Sequence, residues 1–417
     1  MSAKDMSARL DNVSWLSRGP LVRLLEALDR DGEEARVVGG AVRNALLGEP
    51  VHEFDVATTA EPQTIVDRAT KAGFKTVPTG LDHGTLTVIV EGKPFEVTTL
   101  RRDVETYGRK AKVAFGRDWR ADAERRDFTM NALSASRDGV VHDYVGGLAD
   151  LKARRVRFIG DPAARIAEDY LRILRFFRFH AAYGEGLPDP QGLAACIAAR
   201  AGLLGLSRER VRMELLKLLV TPHAVRVLAV MSETGLLISI LGGVPLLASL
   251  SNMMKAETAI GLAADPVRRL GALGVVIPED AERLTERLRL SNAEHDRLLL
   301  MSEGWRHLSS HSSPRQMRAL LYRLHAGPYI DRVLLAWSRA PESLSDEHWQ
   351  EIAGLPRHWT PPEFPIKAAD VMARGVAKGP QLGQVLRAAE DAWIAADFSA
   401  DQAVLAQILG AAIAAHG

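Results

Sequence analysis

The sequence predicts an α+β chain, with an α/β head toward the N-terminus followed by all-helical segments. Three observations carry this. A β-branched run ending at Val38 enters Gly39-Gly40 and a short helical stretch, with a second β-rich run close behind. Thr85 to Val90 and Phe95 to Leu100 are β-rich runs joined by Glu91-Gly92-Lys93-Pro94, which reads as a hairpin. Beyond Gly184 apolar residues recur at helical spacing between Gly and Pro breaks. At 417 residues the chain is too long for one small core, and two to four domains are expected. We place a head at 25–150, a helical neck at 151–222 and a helical body and tail at 223–417.

Taken in order, Leu21, Leu24, Leu25 and Leu28 stand at helical spacing and predict a packing helix. Ala35 to Val38 is a strand, Ala41 to Leu47 a short helix, and Gly48 its left-handed cap. Glu49-Pro50 turn the chain into a strand over Val51 to Thr58, and Pro62 to Ala72 form a surface helix ended by Gly73. Arg101 to Trp119 is polar, basic and glycine-punctuated, and reads as a mobile loop able to fold over a ligand. Leu206 to Leu219 is a helix with Ser207 at its N-cap.

Composition narrows the class. Hydrophobic content of 47% and charged content of 25% describe an ordinary globular protein. Net charge is only +1, yet residues 101–180 hold 18 Lys/Arg against 12 Asp/Glu, so basic surface is concentrated there. The single cysteine, Cys196, excludes an internal disulfide and a multi-cysteine zinc site. The first residues lack an apolar core of signal-peptide length, and the most apolar run, Gly235 to Leu250, is broken by Gly242-Gly243 and Pro245. A cytoplasmic protein with no membrane contact is expected.

The chemistry gathers between Ala35 and Thr59. Two glycines between a strand and a helix N-terminus let free N–H groups approach an anion, and Arg43, one turn in, can add a guanidinium. Glu53 and Asp55, two apart on a strand, leave the same face roughly 6–7 Å apart at Cα. Such a pair suits Mg²⁺, which takes oxygen ligands from carboxylates and substrate phosphates. Glu96 is the one carboxylate inside the second hairpin strand, and becomes a third acidic group if that strand lies beside Asp55. Phosphate cradle and metal pair together suggest nucleotide chemistry. Further on, Asp169, Arg172, Arg175 and Arg178 recur every three residues beside an apolar stripe of Leu171, Leu174 and Phe177. Spacing alone fits a salt-bridge ladder equally well.

GGAVRNALLG followed by EFDVATT resembles the signature of tRNA nucleotidyltransferases and bacterial poly(A) polymerases, in the polymerase-beta nucleotidyltransferase superfamily. That signature reads GGxVRDxLLG followed by DxDxxT, and this chain departs at Asn44 and Glu53. FEVTTLR, RRDFTMNAL, DYVGGLADL and EDYLRILRFFRF are similar to further motifs of the same family, over about residues 35–220. The resemblance implies a nucleotidyltransferase head with Glu53, Asp55 and Glu96 as catalytic metal ligands for Mg²⁺. It implies that Gly39, Gly40 and Arg43 hold the triphosphate, that Arg126 contacts the nucleotide and that Asp127 helps recognise the ribose. Asp143 to Leu151 becomes a structural joint. Asp169 and Arg172 become a protein template for the base, with Arg175 and Arg178 facing phosphates.

A carboxylate accepting from an exocyclic amino group beside a guanidinium donating to a ring nitrogen suits cytosine and adenine, and fails with guanine and uracil. The implied activity is addition of CCA to the 3′ end of tRNA from CTP and ATP, releasing pyrophosphate, with no protein partner. Poly(A) synthesis, partial CC or A addition, and a non-catalytic RNA-binding relative are the alternatives.

Overall fold

The computed structural model describes residues 8–11, 13–80, 84–107, 110–340 and 347–416, with backbone alone for 102–114. These residues fall into two compact units, Met1–Ile240 and Leu241–Gly417.

The first unit opens with α1 (Ser14–Ser17) and α2 (Pro20–Leu28), the latter with proline at its first position. Leu21, Leu24, Leu25 and Leu28 are buried where α2 meets the sheet, as their spacing predicts. Then come β1 (Ala35–Val38), α3 (Gly40–Leu47), β2 (Asp55–Thr58) and α4 (Pro62–Lys71). Gly48 closes α3 in the left-handed region, at φ 71°. After α4 follow β3 (Lys75–Gly80), β4 (Thr85–Val90) and β5 (Lys93–Thr99).

Arg101 to Trp119 departs from its expectation as a loop. It contains β6 (Arg101–Tyr107) and β7 (Lys110–Phe115), paired antiparallel, and then α5 (Trp119–Glu124) begins. Val104, Thr106, Val113 and Phe115 are residues that strands favour, and this outweighs the polar composition. Whether this segment folds over a ligand lies outside the described residues, which give no side chains for 102–114.

Two short strands, β8 (Ser134–Ala135) and β9 (Val141–His142), complete a seven-stranded mixed sheet ordered β3-β4-β5-β2-β1-β8-β9. Only β2 and β5 run parallel, and their register sets Asp55 beside Glu96. On its other side Asp55 pairs with Val38 of β1. The strand expected from Val51 starts four residues later, at Asp55, so Glu53 lies in the lead-in rather than on the strand. The neighbouring β1 ends opposite Asp55, at Val38, where the chain turns at Gly39, and the pairing with β5 likewise begins at Asp55, opposite Glu96.

The chain then becomes helical through α6 (Gly147–Lys152), α7 (Pro162–Glu168), α8 (Leu171–Tyr183), α9 (Pro190–Ala198), α10 (Arg208–Leu219) and α11 (Ala224–Glu233). The joint at Asp143–Leu151 is structural in detail. Asp143 accepts from the N–H groups of Val145, Gly146, Gly147 and Leu148. A Cβ at Gly147 would stand 2.3 Å from the Thr129 carbonyl oxygen, so only glycine allows α6 this approach. Buried Asp150 accepts from Thr129, Arg155 and Arg157.

Helix α8 is the spine of this unit. Leu171, Leu174 and Phe177 are buried, and so are Ile173, Phe176 and Phe179. Phe128 packs against Phe158 and Phe179 at 4.9 and 5.4 Å between ring centroids, and Phe158 stacks on Phe176 at 5.3 Å. This aromatic cluster fastens the RRDF segment to the helix.

The second unit is helical throughout its described residues. Its buried charges are paired: Arg268 with Glu257 and Asp331, and Arg269 with Glu257. A separate core toward the C-terminus gathers Val385, Trp393, Leu405 and Leu409.

Candidate nucleotidyl-transfer site

The site lies at one end of the sheet. There β1 ends at Val38, β2 begins at Asp55, and β5 presents Glu96. Gly39 takes φ 71°, and a Cβ there would lie 3.2 Å from Nη1 of Arg126, so the glycine lets that guanidinium close over the turn. Arg126 is held by Asp122, whose carboxylate also accepts from Arg125. Asp122 and Arg165, which donates to the carbonyls of Arg125 and Arg126, were not singled out from the sequence. The i,i+3 and i,i+4 spacing of Asp122 to the two arginines was the available signal.

Three carboxylates crowd this end of the sheet. Burial raises the pKa of Asp55, Arg126 opposes the rise and Glu53 adds to it. Burial also raises Glu96, and Asp55 and Glu53 push it further. Among the described residues none of the three side chains is in an ion pair. Nor does any group of three or more His, Cys, Asp or Glu side chains there close into a ready-made metal cage. Mg²⁺ commonly relies on one or two carboxylates plus waters and substrate phosphates, so this open, mutually repelling set fits an ion that arrives with a triphosphate.

Arg43 is not placed as the sequence suggested. It is 6% exposed, and its guanidinium donates to Asn44 at 2.8 Å, Asn131 at 2.5 Å and the Tyr183 hydroxyl at 2.7 Å. Stacked 4.0 Å from the Tyr183 ring, it joins α3 to α8 rather than reaching toward an anion. Asn44, where the family signature has Asp, thus partners Arg43 through a neutral oxygen.

Asp127 is likewise turned inward. Burial raises its pKa, but the Arg175 guanidinium and hydrogen bonds from Asn131 and the Phe128 N–H bring it below the usual carboxylate range. Arg175 Nε donates to it at 2.7 Å. Arg178 donates to Glu214 of α10 at 2.5 Å. Neither arginine points freely outward as a phosphate ligand.

The expected Asp169–Arg172 pair sits at a helix boundary. Asp169 is extended, between α7 and α8, so it is not a member of the helical row it was assigned to. Its carboxylate accepts from the Leu171 N–H at 3.1 Å and from Arg210 of α10 at 2.6 Å. Arg172 uses Nη1 for the Arg165 carbonyl and for Glu168. The side chains of Asp169 and Arg172 therefore stand close in sequence without bonding each other. Arg210 and Glu214, which hold the row from α10, were missed. Their i,i+4 spacing was visible but carried no motif.

Comparison with known proteins now bears on this geometry. The family described as Poly A polymerase head domain matches residues 35–157, and that described as Probable RNA and SrmB- binding site of polymerase A matches 188–250. CCA tRNA nucleotidyltransferase 1, mitochondrial, of Danio rerio is 36% identical over 385 residues, 89% of this chain and 86% of its own. The chain belongs to the CCA-adding enzyme and poly(A) polymerase family. It is a nucleotidyltransferase. The CCA-adding enzyme of Leuconostoc citreum is 36% identical over 302 residues, 72% of this chain and 68% of its own. The fold of family members agrees too. The Bacillus stearothermophilus CCA-adding enzyme in complex with CTP superposes with a TM-score of 0.73 at 24% identity, over 94% of this chain and 98% of that one. The Thermotoga maritima enzyme complexed with tRNA superposes at 0.70 and 18% identity, over 98% of this chain and 100% of that one. Among the described residues no helix is long and apolar enough to cross a membrane.

Proposed function

We propose that this nucleotidyltransferase adds CCA to the 3′ end of tRNA, drawing on CTP and ATP and releasing pyrophosphate. The observation that carries the reading is the row at the sheet end: a glycine turn at Gly39, Asp55 beside it, and Glu96 next in register. The names and coverage of the relatives support the substrate.

In this reading the backbone N–H groups of Gly39, Gly40 and the α3 N-terminus receive the triphosphate, and Arg126 closes over it. Glu53, Asp55 and Glu96 would hold Mg²⁺, which when bound acidifies the attacking hydroxyl and offsets charge on the departing pyrophosphate. Arg43 keeps α3 aligned with α8 through Tyr183, and Asp127 orients Arg175. Arg175 and Arg178 supply positive potential behind the phosphates rather than direct contacts.

Asp169 and Arg172 read the base. A carboxylate that already accepts two bonds retains lone pairs for an exocyclic amino group. Arg172 keeps Nε and Nη2 for the ring nitrogen. The head at 25–150 then performs the chemistry, the neck at 151–222 selects the nucleotide, and the body and tail at 223–417 bind tRNA.

Incubation with Mg²⁺, all four nucleoside triphosphates and a tRNA lacking its 3′ CCA tests this. Sequencing the product ends is expected to give CCA. A long A tract, CC alone, A alone or an unextended end would overturn it.

A further inference from the structure

The carboxylate assigned to the base lies at a break between two helices, where no helical backbone holds it. Asp169 is extended, at φ −156° and ψ 107°, and Tyr170 after it is the N-cap of α8. The direction of the Asp169 side chain is therefore set by what touches it. One carboxylate oxygen accepts from the Leu171 N–H at 3.1 Å, and the other accepts from Nη2 of Arg210 at 2.6 Å. The first bond is local, and alone it leaves the carboxylate able to turn. The second comes from α10, 41 residues along the chain, and the side chains it joins are only 17% and 23% exposed.

The segment that carries Arg210 makes another contact with the same break. Tyr170 lays its ring on Gly202, in a short 3₁₀ helix (Arg200–Gly205) that leads into Ser207, the N-cap of α10. A Cβ at Gly202 would stand 2.0 Å from Cδ1 of the ring, so the ring takes this seat because the position is glycine. One turn beyond Arg210, Glu214 accepts from Arg178, so α10 serves both ends of the row on α8.

From these contacts we propose that Arg210 and Gly202 are positioning residues for nucleotide choice. Together they hold the Asp169 carboxylate at one rotation, and that rotation separates CTP and ATP from UTP and GTP. The proposal rests on the base-reading role argued above for Asp169. Cytosine and adenine offer an exocyclic amino group where uracil and guanine place a carbonyl oxygen. A carboxylate held still accepts from the amino group and repels the carbonyl, which also presents lone pairs. A carboxylate free to turn loses the attraction and relaxes the repulsion, so discrimination falls from both sides. Neither Arg210 nor Gly202 has to touch the nucleotide for this.

Arg210→Met keeps most of the side chain's bulk while removing its donors and its charge. Measured in the full chain as kcat/KM for each nucleotide on a tRNA lacking its 3′ CCA, the CTP/UTP ratio should fall about tenfold or more, and Arg210→Lys should recover most of that loss. Gly202→Ala displaces the Tyr170 ring and should lower the same ratio about threefold, which keeps the proposal testable if Arg210→Met fails to fold. In an Asp169→Asn background, where the carboxylate is gone, Arg210→Met should lower the ratio no further. An unchanged CTP/UTP ratio in Arg210→Met and Gly202→Ala, with all four nucleotides slowed alike, would overturn the positioning role alone, and so would a further fall in the Asp169→Asn background. A ratio unmoved by Asp169→Asn itself would overturn the base-reading role, and the proposal with it.

Discussion

The end of the sheet and the neck helix handle charge in opposite ways. Glu53, Asp55 and Glu96 repel one another, with only Arg126 opposing the rise at Asp55. Along α8 each arginine already has a carboxylate: Arg172 with Glu168, Arg175 with Asp127 and Arg178 with Glu214. The first region is left under tension, which in the proposed reading a cation and triphosphate relieve. The second is ordered beforehand, which in the proposed reading gives its donors and acceptors fixed directions for selecting a base. A site that gathers charge and a site that reads shape need these different starting states.

The largest test of the contrast is Asp55→Asn. Nucleotide addition should fall by at least ~10³-fold, about 4 kcal/mol in the barrier. Metal-free thermal melts should nevertheless show the variant more stable than wild type. Asp55 has a raised folded pKa, so its charge costs stability that accumulates from the ordinary carboxylate range upward and levels off once pH passes the raised value. The variant's advantage should be absent below about pH 4, the ordinary carboxylate range, and grow above it. A variant less stable than wild type at neutral pH would mean that Asp55 has a structural partner.

Asp127→Asn should behave in reverse. It removes the nearer carboxylate of Arg175 and leaves Glu214, at 3.8 Å, and urea unfolding at pH 7 should register a loss of about 1.5–3 kcal/mol, the value of a hydrogen bond to a charged group. Because the folded pKa of Asp127 is lowered, its contribution is present above about pH 4 and is lost as pH falls through the depressed value. The deficit should narrow over that window. A constant deficit would point to packing instead.

The legible parts of this molecule were those whose signal is local. The glycine turn, Gly48, the leucine face of α2 and the β4–β5 hairpin with its lone carboxylate Glu96 follow from spacing and turn chemistry, and the motif resemblance supplied Arg126. Long-range pairing was not legible. That β2 begins only at Asp55 depends on its pairing with β1 and on a parallel register with β5, some forty residues away in sequence. That Arg43 turns inward depends on Asn131 and Tyr183, 88 and 140 residues away. Asp169 looked helical because its spacing continued that of Arg172, Arg175 and Arg178, yet the chain is extended there and Arg210 holds it. The strands β3, β8 and β9 were missed because two-residue strands and a bulged, exposed edge carry little alternation.

The central claim is that the neck reads the base with groups already in place, and Arg172→Ala tests it most directly. The substitution removes the donor to N3 of cytosine or N1 of adenine. Loss of one charge-assisted hydrogen bond costs about 1.5–3 kcal/mol, roughly ten- to a hundredfold, and it should fall on CTP and ATP but not on UTP or GTP. Measured as kcat/KM for each nucleotide on a trimmed tRNA, the CTP/UTP ratio should drop by that factor. An unchanged ratio, with all four nucleotides slowed alike, would make Arg172 part of a salt-bridge ladder with Glu168 and contradict the account.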